Sequence, residues 1–178
     1  DFADLVDRVR PDPGTPSVVP APSSGSGGYV TPSTLPRPMA TADRKYGTNG
    51  NDKLTASSAG SYLNGRRGND ALRGSNKQDL LYGDTGNDKI HGGGGTDYIN
   101  GGQGHDTIYA QDGHDSVDAG TGYNVVYGGD GDDRLRGNDH RDIINGDDGD
   151  DIIWGGAGND VLNGGGHSDL IYGGGGID

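Results

Sequence analysis

The 178 residues contain no cysteine and no glutamate. Without cysteine there is no disulfide framework and no thiolate metal site, and an oxidising compartment is neither supported nor excluded. The second absence is the sharper one, because all 27 acidic residues are aspartate. Such a bias points to a geometric need for the shorter carboxylate rather than a need for solubility. Hydrophobic residues make up only 28%, too few for a mixed apolar core of ordinary thickness. No apolar run approaches the ~20 residues of a membrane-spanning helix. No signal peptide is visible, and the chain begins at Asp1 rather than Met. A formal charge of −13 makes nucleic acid and anionic lipid poor partners, since both repel an acidic chain.

What the chain does have is glycine, 38 residues of it against a usual ~7%, and it is unevenly placed. All eight prolines lie between Pro11 and Pro38, while 34 glycines lie after residue 46. Residues 1–46 balance five Asp with five Lys and Arg; residues 47–178 hold 22 Asp against nine. In residues 1–10, Phe2, Leu5, Val6 and Val9 fall on one face of a helix. This is either the frayed end of a preceding domain or a short docking helix. Residues 11–46 are rich in Pro, Ser and Gly and bury too little apolar surface to order themselves, so they are expected to form a disordered linker.

From Gly47 the chain divides into nonapeptides without insertion or deletion: fourteen complete units and six residues of a fifteenth. Position 1 is Gly except at Ala56, Ala110 and Ala119. Position 4 is Gly except at Ala59, Lys77, His140 and His167. Position 6 is Asp except at Ser61 and Asn124. Position 8 is Leu, Ile or Val in every complete unit. Periodicity this strict dominates the protein. Positions 7 to 9 carry the β-formers and predict a very short strand with position 8 inward, because side chains alternate across a strand. Positions 1 to 6 predict a glycine-shaped turn. Two units make one flattened coil, and each strand pairs with the strand eighteen residues on. Stacked at ~4.8 Å per strand, about seven coils make a rod on the order of 34 Å long.

Stacking sets the position-6 aspartates in two columns. One holds Asp52, Asp70, Asp88, Asp106, Asn124, Asp142, Asp160 and Asp178; the other holds Ser61, Asp79, Asp97, Asp115, Asp133, Asp151 and Asp169. Like charges one coil apart repel, and a cation between successive turns removes the conflict. Carboxylates with glycine-loop carbonyls form a hard oxygen site of the kind Ca²⁺ prefers, whereas zinc or copper favours His or Cys. Several Ca²⁺ ions held by the thirteen aspartates of these columns are therefore expected.

The units GGQGHDTIY, GGDGDDRLR and GGAGNDVLN fit G-G-x-G-x-D-x-U-x at every fixed position. This resembles the calcium-binding repeat of the repeats-in-toxin (RTX), or hemolysin-type, family, over residues 47–178. The resemblance implies an all-β fold, a parallel β-roll: a right-handed β-solenoid with two nonapeptides per coil. It also implies a secreted protein, extracellular or on the cell surface and usually bacterial. Family members include cytolysins, metalloproteases, lipases, alginate epimerases and surface-layer proteins, so the repeat does not fix the parent activity. The turns at Ser61, Lys77, Asn124, His140 and His167 depart from the pattern and are expected to hold calcium weakly.

Other chemistry finds little footing, and no catalytic residues are expected in this chain. His91, His105, His114, His140 and His167 fall on solvent-facing or loop positions. An EF-hand needs a glutamate, and a phosphate-binding GxxxxGK[ST] loop is absent. An ice-binding surface would need a regular Thr ladder. Apolar and aromatic residues at positions 7 and 9 of the later units, such as Ile152, Trp154 and Tyr172, read either as cover for the sheet or as a docking surface for other sequence.

Overall fold

One large apolar residue in nine cannot bury itself within its own coil, so it must stack on its equivalents. The computed structural model, which describes residues 43–178, shows that stacking as fifteen strands. In chain order they are β1 (Asp43–Tyr46), β2 (Lys53–Thr55), β3 (Ser61–Arg67), β4 (Ala71–Arg73), β5 (Leu80–Thr85), β6 (Lys89–Gly94), β7 (Tyr98–Gln103) and β8 (Thr107–Asp112). They continue as β9 (Ser116–Asp118), β10 (Val125–Asp130), β11 (Arg134–Asp139), β12 (Ile143–Asp148), β13 (Ile152–Ala157), β14 (Val161–Gly166) and β15 (Leu170–Gly175). Odd strands form one parallel sheet and even strands the other.

The register is uniform at eighteen residues: Leu81 pairs with Ile99, and Ile90 with Ile108. Position-8 residues from Leu63 to Ile153 are buried and meet in one thin core. At its ends Leu54 and Leu162 are only partly buried, and Ile171 is 43% exposed. This is the all-β roll that the repeat predicts.

The sheet starts earlier than the repeat suggests. Asp43 pairs with Ser61 and Lys45 with Leu63, so Lys45 holds the place of a core residue. Its ammonium instead donates to the Thr55 carbonyl at 2.6 Å and pairs with Asp43 at 3.2 Å. Residues 43–46 are thus a first, polar-capped strand rather than the end of the linker. The helix expected at 1–10 and the linker before residue 43 lie outside the described residues.

Most strands are also longer than predicted, running six residues through positions 7 to 9 and on through 1 to 3. The cause is the backbone at position 2. In twelve of the fifteen units this residue has a positive φ, including Arg66, Asp84, Gln111, Asn138 and Asp147, which are not glycine. The left-handed residue carries the ladder past position 1. The three units without it are those with Thr48, Ser57 and Ser75 at position 2. The strands before them (β1, β2 and β4) stop at position 9. Strand β9 also stops there, although Gly120 after it has a φ of 89°.

Outward positions carry aromatics. Tyr46, Tyr62, Tyr82 and Tyr98 form a chain of tilted contacts, 5.5 to 5.9 Å between neighbours, over the early coils of the odd sheet. On the even sheet His91, Tyr109 and Tyr127 stack nearly parallel.

Candidate metal centre

Aspartate has a single methylene, and that length sets the geometry of the columns. From Asp70 and Asp79 onward, each position-6 Oδ1 accepts a hydrogen bond from the backbone N–H of the position-6 residue one coil earlier. Asp70 N donates to Asp88 Oδ1 at 2.7 Å, and Asp88 N to Asp106 Oδ1 at 2.8 Å. Asp97 N donates to Asp115 Oδ1 at 2.7 Å, and Asp133 N to Asp151 Oδ1 at 2.8 Å. The rail runs from Asp52 to Asp178 on one side, and Ser61 starts the other by donating to Asp79 Oδ1. The columns are therefore joined by hydrogen bonds as well as set apart by charge. A glutamate would overreach the N–H, which gives the absence of glutamate its reason.

In nine of these aspartates no hydrogen bond reaches the second oxygen. Oδ2 is buried without a hydrogen-bond partner in Asp70, Asp88, Asp97, Asp106, Asp115, Asp133, Asp142, Asp151 and Asp160. Unpaired buried polar atoms are rare in proteins and cost about 1–3 kcal/mol each, more when charged. Burial, reinforced by neighbouring carboxylates, pushes Asp97 and Asp133 up to about 8. By the same desolvation Asp106 and Asp142 rise to about 7, and Asp88 and Asp115 to about 6. Two more unpaired oxygens, Asn64 Oδ1 and Asp84 Oδ2, lie off the columns on adjacent strands.

The four remaining predicted aspartates sit differently. Asp52 Oδ2 accepts from the Thr48 N–H at 2.6 Å and its hydroxyl at 2.9 Å; Asp79 Oδ2 accepts from Ser75 in the same way and at the same distances. In the degenerate unit Ser57 N donates to Ser61 Oγ at 3.0 Å. These are the three units whose position 2 is not left-handed. Asp169 is half-buried and Asp178 exposed, at the last coil.

Asn124 separates the two jobs of the position-6 side chain. Its Oδ1 accepts from Asp106 N at 3.0 Å and its own N–H donates to Asp142 Oδ1 at 2.7 Å, so the rail continues. An amide nitrogen replaces the free oxygen and lies 3.4 Å from the Gly122 carbonyl. Asn124 thus lacks the free oxygen but leaves the rail unbroken. A second rail runs along position 5, where Asn69, Asn87, His105 and His114 accept from the next coil's N–H. His105 and His114 accept through Nδ1, in the role asparagine plays elsewhere, which gives those two histidines a structural task.

The free oxygens point at a definable space. Asp88 Oδ2 and the Gly101 carbonyl oxygen converge where a Cβ on Gly83 would lie. Asp97 and Asp133 meet the carbonyls of Ala110 and Gly146 in the same manner at Gly92 and Gly128. Each such cradle joins a carboxylate of one coil to a carbonyl of the next. Of the three alanines at position 1, Ala56 and Ala119 belong to the units of Ser61 and Asn124, where the carboxylate is missing; Ala110 keeps Asp115. Among the described residues no three His, Cys or Asp side chains converge, so a cation here must draw on backbone carbonyls. Oxygens alone line the cradles, which suits Ca²⁺ and gives zinc or copper no nitrogen or sulfur.

No curated protein matches the chain. The family model for the RTX calcium-binding nonapeptide repeat (four copies) matches in overlapping stretches, residues 46–76, 73–108, 92–126, 109–144, 124–153 and 145–178. With the register, the rails and the oxygen cradles in agreement, the chain belongs to the RTX calcium-binding nonapeptide repeat family, and its roll is a Ca²⁺-binding module.

Proposed function

We infer that calcium is the folding switch of a non-catalytic module carried by a secreted protein. The observation that carries this reading is the set of nine buried, unpartnered Oδ2 atoms. Without a cation their mutual repulsion and desolvation oppose the closed roll. Where calcium is scarce, as inside a cell, the chain stays open; at the roughly millimolar levels met outside the ions close it. Binding free energy is then folding free energy. Asp70, Asp88 and Asp106, Asp142 and Asp160, and Asp97, Asp115, Asp133 and Asp151 would hold the ions, together with carbonyls such as those of Gly101 and Gly146. When bound, the ions supply charge compensation and cross-link successive turns. Circular dichroism of the 178-residue chain tests the reading. β-Structure should rise on adding calcium and fall with a chelator; equal β-content in both would sink it.

A further inference from the structure

The two kinds of turn are not scattered evenly. Between residues 47 and 82 three turns of four close their own position-6 side chain, through Thr48, Ser57 and Ser75. The fourth, with Arg66 at position 2, leaves Asp70 Oδ2 free. The hydroxyls also brace the turn: Gly50 N donates to Thr48 Oγ1, and Lys77 N to Ser75 Oγ, both at 3.1 Å. After residue 82 no unit has Ser or Thr at position 2, and every buried position-6 carboxylate has a free oxygen.

Two further observations set the same stretch apart. Residues 43–91 carry eight Lys and Arg against six Asp, whereas residues 92–178 carry three against seventeen. Tyr46, Tyr62 and Tyr82 of the tyrosine chain and the Lys45 cap belong to the early coils, and Tyr98 alone lies beyond them.

We propose that Thr48, Ser57 and Ser75 stand in for the cation, so that residues 43–82 fold without calcium and calcium closes only the coils beyond them. Thr48 and Ser75 each donate two hydrogen bonds, from N–H and hydroxyl, to the Oδ2 that a cation would otherwise take, and Ser57 donates one, from its N–H, to Ser61 Oγ. The first coils then form a preformed end on which later coils stack as ions arrive. In the column that runs from Ser61 to Asp169 the ions start between Asp97 and Asp115, and Asp79 takes none. The inference rests on the calcium-binding reading above, and its test separates the two.

Amide hydrogen exchange of the full chain, in chelator and in calcium alone, reads the difference directly. In chelator, peptides from 43–82 should keep their protection while those from 92–178 lose it; calcium should restore it. Loss of protection along the whole roll in chelator, with recovery in calcium, overturns the inference and leaves the calcium reading intact. Protection everywhere in both conditions overturns both. Ser75→Gly supplies a second reading, since glycine at position 2 permits the left-handed turn. That variant should bind one more calcium equivalent and lose protection around residues 74–82 in chelator. An unchanged calcium count and unchanged protection would overturn the proposal.

Discussion

The early and late coils share one register and one core, yet they satisfy the same carboxylate in opposite ways. In the turn of Asp79 both oxygens are hydrogen-bonded, Oδ1 by Ser61 and Oδ2 by Ser75. In the turn of Asp133 only Oδ1 is, by Asp115. The position-6 side chain thus has a structural oxygen and a chemical one, and position 2 decides whether the second is left free. A repeat can keep its fold while single substitutions free, close or remove the second oxygen. Asn124 shows this at the position-6 side chain and Ser75 at the turn.

The strongest lever on this contrast is pH, because it acts on many carboxylates at once. Folded Asp97, Asp106, Asp133 and Asp142 hold protons to about 7 or 8, while unfolded aspartate releases them near 4. Between those values the folded state binds more protons, so stability falls as pH rises. In chelator, residues 92–178 should be more stable at pH 5 than at pH 8, and residues 43–82 should change less. Thermal melts with exchange at both pH values check this, and an equal response of the two regions would break the contrast.

Next in size, Tyr62→Ala removes the ring that joins Tyr46 to Tyr82 within the early coils and should cost about 3 kcal/mol. The loss should be the same with or without calcium; a loss seen only with calcium would tie the early coils to the ion after all. Asn124→Asp, combined with Ala119→Gly, keeps the rail and adds a free oxygen. It should lower metal-free stability by about 1–3 kcal/mol and raise the calcium count measured by equilibrium dialysis. The smallest effect belongs to His114. Replacement by Asn should be nearly neutral because the acceptor is kept, whereas Ala should cost about 1 kcal/mol, read by denaturant titration in calcium.

Much of this is legible in the sequence. The nine-residue period places Leu81 on Ile99 and Asp88 between Asp70 and Asp106, since only that stacking buries position 8. Strand β1 was not legible, because Lys45 stands where the pattern demands an apolar residue. Strand length was hidden too. It depends on the sign of φ at position 2, and Arg66 or Asp84 in the left-handed region pays about 1 kcal/mol that sequence does not display. Self-closing turns do leave a signal in the sequence: Thr48, Ser57 and Ser75 are the only Ser or Thr residues at position 2. Which oxygen of an aspartate is engaged is a matter of side-chain geometry and has no trace in composition.

The rail also rations changes of length. Each of its bonds reaches to the residue eighteen along, so the chain can lengthen or shorten without damage only by whole coils. Loss of residues 92–109 would leave every later strand in its own sheet. Loss of residues 92–100 alone would swap the sheets of all that follow, stacking Asp106 on Asp79 and moving Tyr109 and Tyr127 to the face that carries Tyr82. Melting curves of the two deletions in calcium should show the longer one to be the milder, and the reverse order would mean that the rail does not set the step.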